Sequence, residues 1–313
     1  MVANYALKTY TITPSISGNG SGTLTPNSPQ TLNCGSDKTF TFAPASSSLI
    51  YKLLVDGVNI ADSIPVGSYT FENITANHTI EVIFKTCDTI IFNWQGGTSK
   101  CFNISATNGE DFVINWGDSP DLDTLTATGS GQSISYGYPG NSIYTVNIIG
   151  MADCYFKSLQ VAGLGLTTLD LSNTFTLQVL YCENNQLSKL ILSAGGLNFI
   201  QCFNNRLQLS DLFAISEMIL NASNKRLGTQ TLPAQTAKVG DVLFASQSVF
   251  NGIFTEYVVT QGGTPVPTSD YTVTNGTIIF HVAGIYDVIM TNSAIISHPT
   301  YPAKTMLQLT IDN

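Results

Sequence analysis

Three stretches decide how this chain is read: FKSLQVAGLGLTTLDLS (156–172), LQVLYCENNQLSKLILS (177–193) and LNFIQCFNNRLQLS (197–210). Aligned on their leucines, they place Leu159, Leu180 and Ile200 in one column, at spacings of 21 and 20 residues. Val161, Cys182 and Cys202 form a second column, and Leu166, Leu187 and Leu207 a third. A period of this length predicts stacked turns of chain, each burying its apolar side chains only against its neighbours. Asn185 and Asn205 fall at the same place in the second and third turns. Gly163-Leu164 stands there in the first, as suits a terminal turn.

The pattern L-x-x-L-x-C-x-x-N-x-L resembles the leucine-rich repeat, with cysteine in an apolar slot. Three turns are few for a solenoid, so something must cover each open end. Downstream, SDLFAISEMILNAS (210–223) predicts a capping helix. Ser210 is the expected N-cap, Asp211 lies at the favourable end of the dipole, and Leu212, Ile215, Met218 and Ile219 share a face. Residues 153–227 are accordingly expected to form one short repeat segment.

The flanks read as β. In residues 1–85, TYTIT (9–13), KTFTF (38–42), YKLLV (51–55), SYTF (68–71) and HTIEVIF (78–84) alternate or run apolar as strands do. Asp56-Gly57 has the composition of a type I′ hairpin turn, whose central residues both need positive φ. Gly18-Asn19-Gly20-Ser21-Gly22 has no following helix to supply an anion-binding N-terminus, so it is read as a mobile β-turn and not a phosphate loop. TFTFAP, VDGV and SYTFENITANHTIEVIF resemble a bacterial surface β-repeat.

Residues 86–152 carry Trp116-Gly117-Asp118, then Tyr136, Pro139, Gly140, Tyr144 and Val146 with one inserted residue. This resembles the PKD-type Ig-like domain, and the resemblance implies that the tryptophan packs a sandwich core and Asp118 ties down a turn. A calcium loop from Asp118, Asp121 and Asp123 lacks the glycine and bidentate glutamate that an EF-hand would supply. Residues 228–313 again alternate as strands, with Asn275-Gly276 a second hairpin signal. The QTLPAQTAKVGD entry (230–241) resembles the Ig-like domain that follows leucine-rich repeats in internalin-type surface proteins. The expected fold class is therefore mainly β and multi-domain: Ig-like and PKD-like β-sandwiches flanking a short leucine-rich-repeat solenoid with one capping helix.

Composition narrows function. Only 11% of the 313 residues are charged, and 12 basic against 21 acidic residues give a net charge of −9. That balance opposes nucleic-acid binding, which rests on neutralised phosphates, and offers no polybasic patch for anionic lipid. No run reaches the roughly 20 apolar residues of a membrane helix, and the N-terminal stretch shows no basic and apolar signal-peptide regions. The six cysteines (34, 87, 101, 154, 182, 202) have no CxxC pair and no histidines at zinc spacing. They read as isolated thiols, with a Cys87–Cys101 disulfide as the alternative. His78, His281 and His298 have no serine, cysteine or carboxylate partner at a meaningful spacing, and no GxSxG elbow occurs. No catalytic residue, cofactor site or metal site is assigned, and the chain is read as not an enzyme.

What remains is surface recognition. Side chains flanking the inward residues of each repeat strand point outward onto one sheet face. Gln160, Tyr181, Glu183, Phe199, Gln201 and Phe203 are thereby the candidate binding face, unless a neighbouring domain or subunit covers it. Two functional classes fit. One is a phage virion component, such as a head fibre, capsid decoration or tail-associated receptor-binding protein, exposed on the virion surface. The other is a secreted adhesin of the bacterial cell surface. Expected partners are other virion or surface proteins, a host-surface protein or glycan, or further copies of the chain, without nucleic acid or membrane insertion.

Overall fold

A computed structural model describes residues 7–45, 48–60, 67–97, 99–151, 153–193 and 195–313. The chain is mainly β, with several sheets and one α-helix among the described residues. It divides into two compact units. The first is drawn from residues up to Asp88 together with Gly150–Cys154, and the second from Thr89–Ile149 together with Tyr155–Asn313.

In the first unit a five-stranded sheet runs in the order Gln30–Asn33, Thr9–Gly18, His78–Thr86, Ser48–Val55, Val58–Asn59. A three-stranded sheet is formed by Gly22–Thr25, Lys38–Pro44 and Ser68–Phe71. The alternating apolar residues found in the sequence fill the core: Ile12, Leu24, Phe40, Phe42, Leu53, Phe71, Ile80, Val82 and Phe84 are all buried. The Asp56-Gly57 turn has both central φ angles positive, +50° and +79°, between the paired residues Leu54–Val55 and Val58–Asn59. Asp56 does more than turn the chain. Its carboxylate accepts the Thr79 backbone N–H at 2.8 Å and meets His78 Nδ1 at 2.7 Å. Burial raises the Asp56 pKa, but these hydrogen bonds outweigh it and hold the carboxyl below its ordinary value. His78, for which the sequence suggested no partner, thus has a carboxylate 22 residues away.

The glycine-rich segment differs from expectation. It is packed against the strand His78–Thr86: Gly20 N–H donates to Phe84 O at 3.0 Å, and a Cβ on Gly18 would stand 2.0 Å from that same oxygen. Glycine is needed here for close approach of two backbones, with φ +97° at Gly18, and not for mobility.

The second unit is built on two six-stranded sheets. One runs Gln132–Tyr136, Lys100–Ala106, Phe156–Gln160, Val179–Tyr181, Phe199–Gln201, Lys225–Arg226. The other runs Asp123–Thr126, Asp111–Asn115, Ile143–Gly150, Thr89–Gln95, Thr168–Asn173, Lys189–Leu192. Each changes from antiparallel to parallel part-way across. Leu159 pairs antiparallel with Ile104 but parallel with Leu180, and Leu169 pairs antiparallel with Phe92 but parallel with Leu190. Both sheets of the segment 89–149 therefore continue as the two strand stacks of the periodic segment, and this pairing covers the first turn's open end. The 21- and 20-residue spacings are realised as in-register parallel neighbours, Leu159–Leu180–Ile200.

At the other end the helix spans Leu209–Met218, shorter than 210–223, and its N-cap is Gln208, not Ser210. The Asp211 carboxylate accepts the Gln208 backbone N–H at 2.8 Å, which holds the start one turn-fraction earlier. Residues 222–224 form a separate 3₁₀ turn. Beyond the strand Lys225–Arg226, the segment 297–304 closes the sheet edge. His298 N–H donates to Lys225 O at 2.7 Å, Gly228 N–H to Tyr301 O at 3.1 Å, and Lys304 N–H to Gly228 O at 3.1 Å. The loop HPTYPAK (298–304) thus shares the capping role that the sequence gave to the helix alone. Of the remaining strands, most form a sheet in the order Thr229–Thr231, Lys304–Asp312, Gly284–Thr291, Glu256–Gln261, Thr264–Pro265, with Gln235–Lys238 also paired to Lys304–Asp312, while Val249–Phe250 pairs with Ile253–Phe254 and Tyr271–Thr274 with Thr277–Phe280 as two separate hairpins.

Candidate functional site

The candidate face is the outer side of the first six-stranded sheet in the second unit. Its inner side is fixed by burial of Ile134, Phe102, Ile104, Leu159, Leu180 and Ile200, so the residues between them point out. Behind the face lies an amide ladder. Asn185 Oδ1 accepts the N–H groups of Leu164 and Leu166 at 2.9 and 3.0 Å, while its Nδ2 donates to Val161 O and Cys182 O at 2.8 and 3.0 Å. Asn205 repeats this one turn on, accepting from Leu187 N–H at 3.0 Å and donating to Cys182 O and Cys202 O at 2.9 and 3.0 Å. Gln230 makes a third rung: Oε1 accepts from Leu207 N–H at 3.3 Å, and Nε2 donates to Cys202 O and Leu227 O at 3.0 and 2.8 Å. All three amides are buried. They satisfy backbone groups that a turn between strands would otherwise leave unpaired, and they hold the outward side chains in register.

Gln160 is exposed, whereas Tyr181, Glu183, Phe199, Gln201 and Phe203 are half-buried. The aromatics cover one another and are covered. Tyr181 and Phe199 lie 5.1 Å apart at 43°, and Phe203 stacks on Tyr301 at 5.0 Å and 11°. Arg226 completes the group: its guanidinium stands over the rings of Phe199 and Tyr301 at 5.2 and 5.6 Å, and its Nη1 donates to Gln201 Oε1 at 2.9 Å. Glu183 Oε2 and Arg226 Nε are buried without a hydrogen-bond partner. Arg226 and Tyr301 were not found from the sequence. Arg226 falls outside the 20–21-residue period, and Tyr301 arrives from the far end of the chain. The resulting site has flat apolar rings, amide donors and acceptors, one cation and one anion.

Under this face the chain holds its reactive groups inert. Burial pushes the Cys202 thiol up to about 12 and the Cys182 thiol well above its ordinary value, so both stay protonated. Cys34 and Cys101 are exposed and Cys87, Cys154, Cys182 and Cys202 are buried; the Cys87–Cys101 disulfide is not formed. Lys225 is buried with its Nζ donating to Ser216 O at 2.7 Å near the helix C-terminus, and burial lowers its pKa.

Elsewhere in this unit Asp118, Asp121 and Asp123 are each engaged by a protein donor. Trp116 Nε1 donates to Asp123 at 2.7 Å, Tyr136 OH to Asp118 at 2.9 Å and Ser119 Oγ to Asp121 at 3.0 Å. Trp116 is buried, stacked on Tyr136 at 4.1 Å. Among the described residues no group of three or more His, Cys, Asp or Glu is placed to hold a metal ion, and no helix is long and apolar enough to cross a membrane. His281 Nε2 meets Thr272 Oγ1 at 2.6 Å, and His298 Nδ1 accepts the Thr300 N–H at 3.1 Å. Two shallow grooves of about 340 Å³ lie elsewhere, one bordered by Gln186, Asn204, Arg206 and Pro233, the other by Leu197, Asn198, Met218 and Leu220.

No family model, curated protein or solved structure matches the chain.

The case for function therefore rests on the chain's own chemistry. The face offers recognition groups.

Proposed function

We propose that the protein is a non-enzymatic structural and adhesion component of a phage virion, a head fibre, capsid decoration or tail-associated receptor-binding protein, that contacts a protein or glycan. In this reading residues 86–152 and 228–313 are Ig-like sandwiches and residues 153–227 are short leucine-rich repeats. The observation that carries it is the outward sheet face just described, in which rings, amides and one arginine are held by a buried ladder and by continuous strand pairing. Such a surface is stiff before any partner arrives, which lowers the ordering cost of binding. The low charge, the −9 balance and the succession of surface-type β modules support an exposed, non-nucleic-acid role.

A second reading, a secreted bacterial surface adhesin, is favoured by the same resemblances, which point to surface proteins of bacteria. An antibody to the chain separates the two. Density-purified particles from a lysed source culture are expected to carry it; signal confined to washed cell envelopes overturns the virion reading. The face is tested by Tyr181→Ala with Phe203→Ala. Loss of cell or particle binding is expected with the unfolding transition retained, and unchanged binding rejects the face as the contact.

A further inference from the structure

Strand register makes a straight line across the candidate face. Ser133 pairs with Asn103, Asn103 with Gln160, Gln160 with Tyr181, Tyr181 with Gln201, and Gln201 with Arg226. Buried residues flank five of them on both sides, and Ile134 lies buried beside Ser133, so all six side chains emerge on the same side. The row crosses from the antiparallel to the parallel half of the sheet without a break. It presents a hydroxyl, an amide, an amide, a phenol, an amide and a guanidinium, one per strand. With neighbouring strands about 4.8 Å apart, the row spans about 24 Å.

We infer that this row is a binding track for a neutral linear polysaccharide laid across the strands. The inference rests on the adhesion reading above and names its ligand. Three observations select the ligand. The first is the repeat: an extended pyranose chain offers hydroxyls at an interval close to the strand spacing, so successive sugars meet successive side chains. The second is the amphipathic arrangement. Tyr181 is within the polar row, with Phe199 packed against it beneath the Arg226 guanidinium, so one apolar ring stands next to polar groups, which suits a sugar's apolar face and polar edge. The third is charge. Arg226 and Glu183 are the ionised groups at the repeat end of the face, one of each sign, on a chain of −9. A polyanion gains nothing there, and its approach is opposed by the whole molecule's field. The track ends where Arg226 is clamped between Phe199 and Tyr301.

The test is affinity electrophoresis of the full chain through gels holding soluble mixed-linkage β-glucan, glucomannan or arabinoxylan, with alginate as the acidic comparator. At least one neutral polymer is expected to retard the protein and alginate is not. Oligosaccharides of that polymer should bind more tightly with length up to about five or six units and then level off, as the row's length requires. Tyr181→Ala is expected to weaken binding about tenfold. Gln160→Ala, at an exposed position that cannot disturb the core, should weaken it severalfold, with tryptophan-detected unfolding unchanged in both. Absence of retardation by all three neutral polymers overturns the inference, as does retardation by alginate alone, or affinity that levels off at a disaccharide. If the Tyr181/Phe203 double variant loses cell or particle binding while no polysaccharide retards the native chain, the ligand is a protein. The adhesion reading then stands and the polysaccharide track does not.

Discussion

Asn205→Ala probes the amide ladder and the continuity of the sheets together. Asn205 is 2% exposed and serves two turns at once. Its loss strips Leu187 N–H of its side-chain acceptor, while Cys182 O and Cys202 O retain Asn185 and Gln230 as donors. An orphaned buried N–H costs about 1–3 kcal/mol, and each lost neutral bond to a carbonyl about 1 kcal/mol. The expected destabilisation is therefore about 3–5 kcal/mol. Asn205→Asp keeps the acceptor but removes both donors and buries a charge, so at neutral pH it should be at least as damaging and should recover part of the loss in acid. Gln186→Ala, exposed on the next turn, should change stability by less than about 0.5 kcal/mol. The assay is urea unfolding followed by tryptophan fluorescence. Both tryptophans, Trp94 and Trp116, are buried in the antiparallel half of the second unit, remote in sequence from the substitution. Because the sheets run through, the tryptophan midpoint should move with the ladder. A midpoint that stays at the native value in Asn205→Ala would refute either the ladder's contribution or the cooperative coupling of the two halves. Circular dichroism showing a separate early transition would assign the failure to the coupling.

Other expectations follow from the same geometry. A thiol reagent should modify two cysteines in the native protein, Cys34 and Cys101, and six after denaturation; fast reaction of Cys182 or Cys202 would contradict their burial. Burial holds the Tyr138 phenol, which donates to Trp116 O at 2.7 Å, far above its ordinary 10.0. The folded state then keeps a proton that the unfolded state releases, so its contribution is complete below pH 10 and is lost as pH rises beyond it. Tyr138→Phe should flatten the fall in urea midpoint between pH 9 and 11, and an unchanged slope would count against this. Gly276 has φ +76° and a Cβ there would lie 1.8 Å from Ser248 O, so Gly276→Ala should cost about 1–3 kcal/mol or more in thermal melting.

The repeat was legible in the sequence because each turn buries leucines at a fixed interval, and the asparagine rungs because they share that interval. Gln230 was not, since it stands 25 residues beyond Asn205 and uses a longer amide to reach the same place. The paired sheets were hidden for a related reason. Asn103–Gln160 and Phe92–Leu169 are contacts between distant segments, and alternation in a strand says which side is buried but not which strand lies beside it. The helix start moved because an aspartate reached back to a backbone N–H, a choice that depends on the chain's direction into the turn. At the site, Tyr181 and Phe203 were found from repeat position, whereas Tyr301 joined them through a proline-rich loop with no periodic signature.

The passage from antiparallel to parallel pairing within each sheet has a further consequence for how such a molecule grows. A duplicated turn of 20 or 21 residues would add one strand to the outward sheet without altering the antiparallel start or the 297–304 closure. Each addition lengthens the face by about 4.8 Å. The middle of the chain is thus a ruler graduated in single strands, and reach can be set by copy number alone.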